Sequence, residues 1–335
     1  MRRAAKKWDR HATIGSWLNG GMTMRTWVMR TRTVGLCVAA LLLSAALYAQ
    51  QPPPDLVNMS YGPDPAQVLD LWKAKSDKPT PLVIFIHGGG FYGGDKKMVG
   101  GRPNQFLRAG VSCASVNYRL TPKVTYPAPM MDCVRAVQFL RYKAPELNLD
   151  PKKFACTGGS AGAGISLWIG FHDDLADPKS ADPVARQSTR LTCMAVSNAQ
   201  TSYDPRFIKR NIPGSGWRDG ALPQLFGIKP TEIENPPPDK AKLMEDSAPI
   251  NHLSADDPPV FLHYPMMALS DKEKPGEIHH VMFGVLLKEK MDALKIECVL
   301  VTRSPDSPLP KDAVTTGPDK TDVDFILRQF GIGKK

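Results

Sequence analysis

Phe154-Ala155-Cys156-Thr157-Gly158-Gly159-Ser160-Ala161-Gly162 reads as a short apolar strand, a sharp turn carrying a serine, and the start of a helix, because an apolar, helix-compatible segment follows it. Spelled G-x-S-x-G, it has the form of a nucleophile elbow. Glycines beside the serine let the backbone take a strained turn and keep other side chains away, so the hydroxyl stands exposed above a helix N-terminus. A serine held in this way is placed to attack a carbonyl carbon. On its own such a small-residue string also fits an ordinary Gly-rich turn, so support has to come from elsewhere in the chain.

Upstream, directly after the β-like run Leu82-Val83-Ile84-Phe85-Ile86, stands His87-Gly88-Gly89-Gly90-Phe91. Val116-Asn117-Tyr118-Arg119-Leu120-Thr121-Pro122, then Tyr126-Pro127 and Asp132, follow before the elbow, and Gly93-Gly94-Asp95-Lys96 continues the glycine loop. Together these resemble the HGGG oxyanion loop, the "YRL-x-P … P … D" passage and the "GGDK" continuation of α/β-hydrolases. The similarity is to the hormone-sensitive-lipase-like branch and to secreted feruloyl and acetylxylan esterases. It covers most of the chain after residue 50. The resemblance implies an α/β-hydrolase fold, with a mostly parallel central sheet, helices on both faces and a cap insertion. It also implies a carboxylic ester hydrolase with Ser160 as nucleophile and the backbone N–H groups of Gly89, Gly90 and Ala161 as oxyanion donors. His87 would be structural rather than the base. The substrate would be a small-molecule or carbohydrate-linked ester, with no metal and no cofactor.

The 335-residue chain is long enough for one large α/β domain with an insertion. Its formal net charge of +10 is unevenly placed. Residues 1–49 hold eight of the 43 basic and one of the 33 acidic residues, so 35 basic against 32 acidic residues remain, a formal +3. That is too small for a nucleic-acid footprint. The basic start has another explanation: Arg30 and Arg32 precede an apolar run, Val34 to Leu47, closed by small residues before Gln50, the layout of a secretory signal peptide. Export to the periplasm or the extracellular space, with no stable membrane span after cleavage, is expected. Met22, Met24 and Met29 are alternative starts, and an uncleaved anchor is the competing reading. Cys113, Cys133, Cys156, Cys193 and Cys298 would survive cleavage; each lies in an apolar pattern, which favours buried thiols over a disulfide framework or metal site.

The expected organisation is an N-terminal extension plus signal over 1–49 and a hydrolase domain over 50–335. A short run at 68–72 leads to the sheet, and core strands are expected at 82–86, 111–117, 153–157, 191–197, 259–264 and 297–301, with helices between them. Met130, Cys133, Val134, Val137 and Leu140 form one apolar helical stripe, and Val323, Ile326, Leu327 and Phe330 another. Alternation of strands and helices means a parallel sheet with ligands at the strands' C-terminal ends. Residues 199–258, rich in proline and glycine, break the alternation and are expected to form the cap. Tyr203, Trp217 and Phe226 are substrate-facing candidates there, with local core as the competing reading.

A serine needs a base, and the base an orienting acid. In α/β-hydrolases the order is Ser, acid, His, with the acid after the seventh strand and the histidine after the eighth. Asp271, in the loop after the strand starting at Val260, is the best-placed acid. No histidine follows the eighth strand; the last in the chain is His280. His279 and His280, at the start of the next helix, are candidates for a displaced base, or else a helix-start pair. His263 and His172 read as structural, and His252 could reach the pocket only from a folded-back insertion. Asp306 or Lys311 could stand in the usual loop in a site without histidine. The missing histidine also leaves open a catalytically impaired binding protein on the same scaffold, or a surface protein using the fold only for a partner contact.

Overall fold

The computed structural model describes residues 52–265, 278–302 and 318–333, all within the unit Gln51–Lys335. The signal-like segment, Asp271, Asp306 and Lys311 lie outside the described residues. Among the described residues there are eight strands: β1 Leu56–Ser60, β2 Val68–Trp72, β3 Thr80–Ile86, β4 Ser112–Val116, β5 Leu149–Gly159, β6 Cys193–Ser197, β7 Val260–Tyr264 and β8 Cys298–Thr302. They form one sheet in the order β1-β2-β4-β3-β5-β6-β7-β8. The first two pairings, β1 with β2 and β2 with β4, are antiparallel. From β4 through β8 every pairing is parallel.

The central strands are buried on both faces, which explains their unbroken apolar sequences. Successive side chains point to opposite faces, so Leu82, Ile84 and Ile86 of β3 enter one core while Val83 and Phe85 enter the other. The first core takes the helix Ala128–Tyr142, whose stripe from Met130 to Leu140 is buried, and the elbow helix Ala161–Phe171, buried along its whole length. The second core takes the last helix, Asp322–Gln329, through Phe325 and Ile326. Each aliphatic side chain fully buried in this way contributes about 1.5–3 kcal/mol.

β1 falls outside the strands expected from sequence. It is an edge strand, mostly exposed, so it lacks the burial that writes an apolar pattern. β5 begins earlier than the expected residue 153; its first half carries the exposed Pro151 and Lys152 and reads as a loop. Asp70, which interrupts the apolar run of β2, is buried, and its carboxylate lies 2.7 Å from Lys96 Nζ while accepting the Asn58 N–H at 2.8 Å. The acid thus ties the edge of the sheet to the segment just beyond the glycine loop. Removal of either partner would leave a buried charge unpaired. All five cysteines of this unit are buried, as their apolar surroundings suggest. Among the described residues no helix is long and apolar enough to cross a membrane.

Candidate functional site

Ser160 stands at the junction of β5 and the elbow helix with φ 54° and ψ −124°, a conformation few non-glycine residues adopt. The surroundings hold it there. Its N–H donates to the Ser197 carbonyl of β6 at 3.0 Å, and its carbonyl accepts the Gly164 N–H at 3.0 Å. The helix can start this close to β3 because Gly162 has no side chain: a Cβ there would lie 2.0 Å from the Ile86 carbonyl oxygen. The flanking glycines of the motif are therefore a packing requirement as well as a conformational one.

The glycine loop faces the serine from the end of β3. Gly89 carbonyl accepts N–H groups from Tyr92 at 3.1 Å and Gly93 at 3.0 Å, closing a tight turn in which Gly90 takes φ 58°. His87 anchors the turn from below. Its Nδ1 donates to the Gly88 carbonyl at 2.8 Å, its ring stacks on Tyr118 at 4.3 Å, and its own carbonyl accepts the Tyr118 hydroxyl at 2.9 Å. Burial pushes the imidazole below its usual pKa, against the opposing pull of the Gly88 carbonyl. His87 is thus a wedge under the loop and does not line the cavity above it.

That cavity, of about 330 Å³, has Ser160 and Ala161 on its floor, Gly89 and Gly90 on one side and His279 on another. Gly89, Gly90 and Ala161 thus line the same cavity as the serine hydroxyl.

The two adjacent histidines have different surroundings. His279 Nε2 lies 2.8 Å from Ser160 Oγ. His280 Nδ1 instead accepts the N–H of Met282, at the first turn of the helix Met282–Ala293. Strand spacing explains how a histidine from this side reaches the serine. Strands lie about 4.8 Å apart, so the end of β7 is two strand spacings, about 10 Å, from that of β5, and β8 is about 14 Å away. Gln200, just past β6, is buried and donates from Nε2 to the carbonyls of Ile278 at 2.9 Å and Asn198 at 3.1 Å, pinning the backbone next to His279. Gln200 is not among the residues singled out from the sequence; its one signal there is a polar amide directly after a core strand, where ligands gather in parallel sheets.

The proline-rich segment supplies the outer wall through Asp219, Ala221 and Leu222. Asp219 Oδ1 accepts the Ala221 N–H at 2.9 Å, so this carboxylate both shapes the wall and puts negative charge on it. Of the three aromatic candidates, only Tyr203 lines the cavity. Phe226 is core, and Trp217 is covered by Arg218 and Lys209 at 4.3 and 4.6 Å from its ring. His263 is on β7, where its carbonyl accepts the Asn198 N–H. His172 and His252 stack on one another at the far end of the elbow helix.

A parallel sheet with a strained serine turn at the C-terminal end of its central strand defines the α/β-hydrolase class. A family model described as BD-FAE matches residues 69–266, more than half of the chain, and the chain belongs to that family. It is 34% identical to esterase LipC of Mycobacterium tuberculosis over 114 residues, covering 33% of this chain and 28% of LipC. Esterase LipQ of the same organism is 26% identical over 212 residues, covering 61% of this chain and 47% of LipQ. The chain thus spans less than half the length of these curated relatives. Among solved structures, an acetyl ester-xyloside bifunctional hydrolase from Caldicellulosiruptor lactoaceticus superposes with a TM-score of 0.60 at 24% identity, covering 75% of this chain and 86% of that one. At that identity the likeness concerns the fold.

Proposed function

We propose that this protein is a serine hydrolase of carboxylic esters in which Ser160 is the nucleophile and His279 a relocated base. The contact of 2.8 Å between His279 Nε2 and Ser160 Oγ, at the wall of a cavity also lined by Gly89, Gly90 and Ala161, carries the reading. Ser160 Oγ attacks the acyl carbon and passes its proton to Nε2. The carbonyl oxygen becomes an oxyanion among the N–H groups of Gly89, Gly90 and Ala161, which stabilise the charge as it develops. Collapse expels the alcohol oxygen, which takes the proton from His279. A water then repeats both steps on the acyl-serine and releases the acid.

For Nε2 to accept, Nδ1 must carry the proton, and an acid behind it would hold that tautomer. Asp271 is our candidate, since it belongs to the same connection between β7 and the helix Met282–Ala293 as His279. A base from the β7 side accounts for the lack of a histidine after β8, the observation behind the binding-protein reading. The cavity is at the small end of ligand sites, which run about 300–1,000 Å³, so short acyl groups such as acetyl are the favoured substrates, on a small alcohol or a sugar. The basic-then-apolar segment before Gln50 supports export. Hydrolysis of p-nitrophenyl acetate and butyrate, measured for the protein and for Ser160→Ala, His279→Ala and His280→Ala, tests the assignment. Loss with Ser160 and His279 but not with His280 is expected; equal rates in all variants would overturn it.

A further inference from the structure

At the opposite end of the elbow helix from Ser160, His172, His252 and Asp246 come together from three elements. His172 follows the last turn of that helix, Asp246 ends the helix Pro238–Asp246, and His252 ends the helix Pro249–His252. Each can offer one ligand atom, and these atoms lie within 4.8 Å of one another. We propose that the three form a site for a divalent first-row transition cation of the zinc type, bound by two imidazoles and a carboxylate.

The surroundings are those of a ligand set. His172 Nδ1 donates to the Trp168 carbonyl at 2.9 Å, which leaves Nε2 with its lone pair outward. A backbone carbonyl holding the non-ligating nitrogen of a metal-binding histidine is the usual way its tautomer and ring angle are fixed. The Tyr126 hydroxyl donates to Asp246 Oδ2, leaving Oδ1, which lies 3.9 Å from His252 Nε2; without an ion that nitrogen donates to the Asp246 backbone carbonyl at 2.6 Å, a bond that coordination through Nε2 would replace. Trp168 packs under the His172 ring at 3.6 Å, and His252 covers its other face at 3.6 Å. Two imidazoles stacked this closely repel if both are protonated, whereas a single cation shared between their nitrogens removes the conflict. The site also sits at a helix C-terminus, where the backbone carbonyls favour positive charge. Asp246 is exposed and both histidines are partly so, which gives an ion a way in.

Two nitrogens and one oxygen select zinc, nickel, cobalt or copper over magnesium and calcium, which prefer all-oxygen shells. The elbow helix has eleven residues at about 1.5 Å each, which puts the site about 17 Å from Ser160. The ion would have no part in ester chemistry. Its effect would be to clamp the proline-rich segment that walls the cavity onto the helix that carries the nucleophile.

The test uses the whole protein, stripped with a chelator, dialysed, and titrated with zinc chloride by calorimetry, with magnesium chloride as the control. One equivalent of zinc should bind and raise the melting temperature, and magnesium should do neither. Loss of a ligand should weaken zinc at least as much as loss of an outer-shell partner does, about 10- to 100-fold, in both His172→Gln and His252→Gln. His279→Gln should bind zinc as the parent does, which separates this site from the serine cavity. No zinc binding, or binding unchanged in both His172→Gln and His252→Gln, would overturn the proposal. If either variant fails to fold, X-ray absorption on the zinc-loaded parent decides. Two imidazoles with oxygen support the site; sulfur ligation or an all-oxygen shell rejects it.

Discussion

The serine and the histidine that meet at this cavity are held by very different means. Ser160 is fixed by the sheet: its N–H is bonded to β6, its carbonyl begins the elbow helix, and Gly162 presses that helix against the end of β3. Around His279 the backbone is set by side chains: Gln200 grips the Ile278 carbonyl and His280 caps the following helix. The serine turn and the glycine loop are thus consequences of backbone packing, which resists change as a unit. The placement of the histidine depends on individual side chains.

This contrast can be broken most directly at the two reacting groups. Ser160→Ala and His279→Ala should each lower kcat by about 10⁴- to 10⁶-fold, and the double variant should be little worse than either, because the two act as one unit. Additive losses would mean that His279 does not serve Ser160. On the backbone side, Gly90→Ala places a Cβ 2.7 Å from the Tyr92 ring at a positive φ, displacing the loop. With one donor misaligned, kcat should fall by about 10²-fold while the melting temperature barely moves, checked by steady-state kinetics beside calorimetry.

On the side-chain side, Gln200→Leu keeps the bulk but removes the hydrogen bonds to the Ile278 and Asn198 carbonyls. A modest drift of His279 should cost about tenfold in kcat with KM nearly unchanged, and the pH profile of kcat should shift with it. A variant that lost only stability would make Gln200 a structural residue. The smallest expected effect is in acid. His87 is harder to protonate in the fold than in the unfolded chain, so its contribution to stability is present above about pH 6.5 and is lost as pH falls below it. Urea unfolding at pH 7.5 and pH 5 should show the loss, and His87→Phe, which keeps a ring on Tyr118, should lessen the slope. An unchanged slope would mean that other groups carry it.

The strands that pack in the sheet centre were legible because both their faces are buried, which writes a continuous apolar run bounded by turn residues. β1 was not, since an exposed edge strand has no such pattern. Ser160 and the glycine loop could be read for a related reason: a strained turn and a close approach of backbones restrict the residue types allowed, and the restriction is local in sequence. Asp70 shows the limit, because its partner Lys96 lies 26 residues away and an acid in a strand gives no sign of which cation meets it.

The sequence by itself determined the sheet, the elbow, the loop facing it, and the absence of a histidine after the eighth strand. It left His279 and His280 as equivalent neighbours, together with Gln200 unremarked and the three aromatics of the proline-rich segment undivided. Only the tertiary structure put His279 against Ser160, turned His280 to the next helix, and brought His172, Asp246 and His252 together. The physical reason is one of range. Periodicity and glycine placement act over a few residues and leave their mark in the order of the chain. The separation of 119 positions between Ser160 and His279 is closed by the packing of whole strands and helices, which no local pattern encodes.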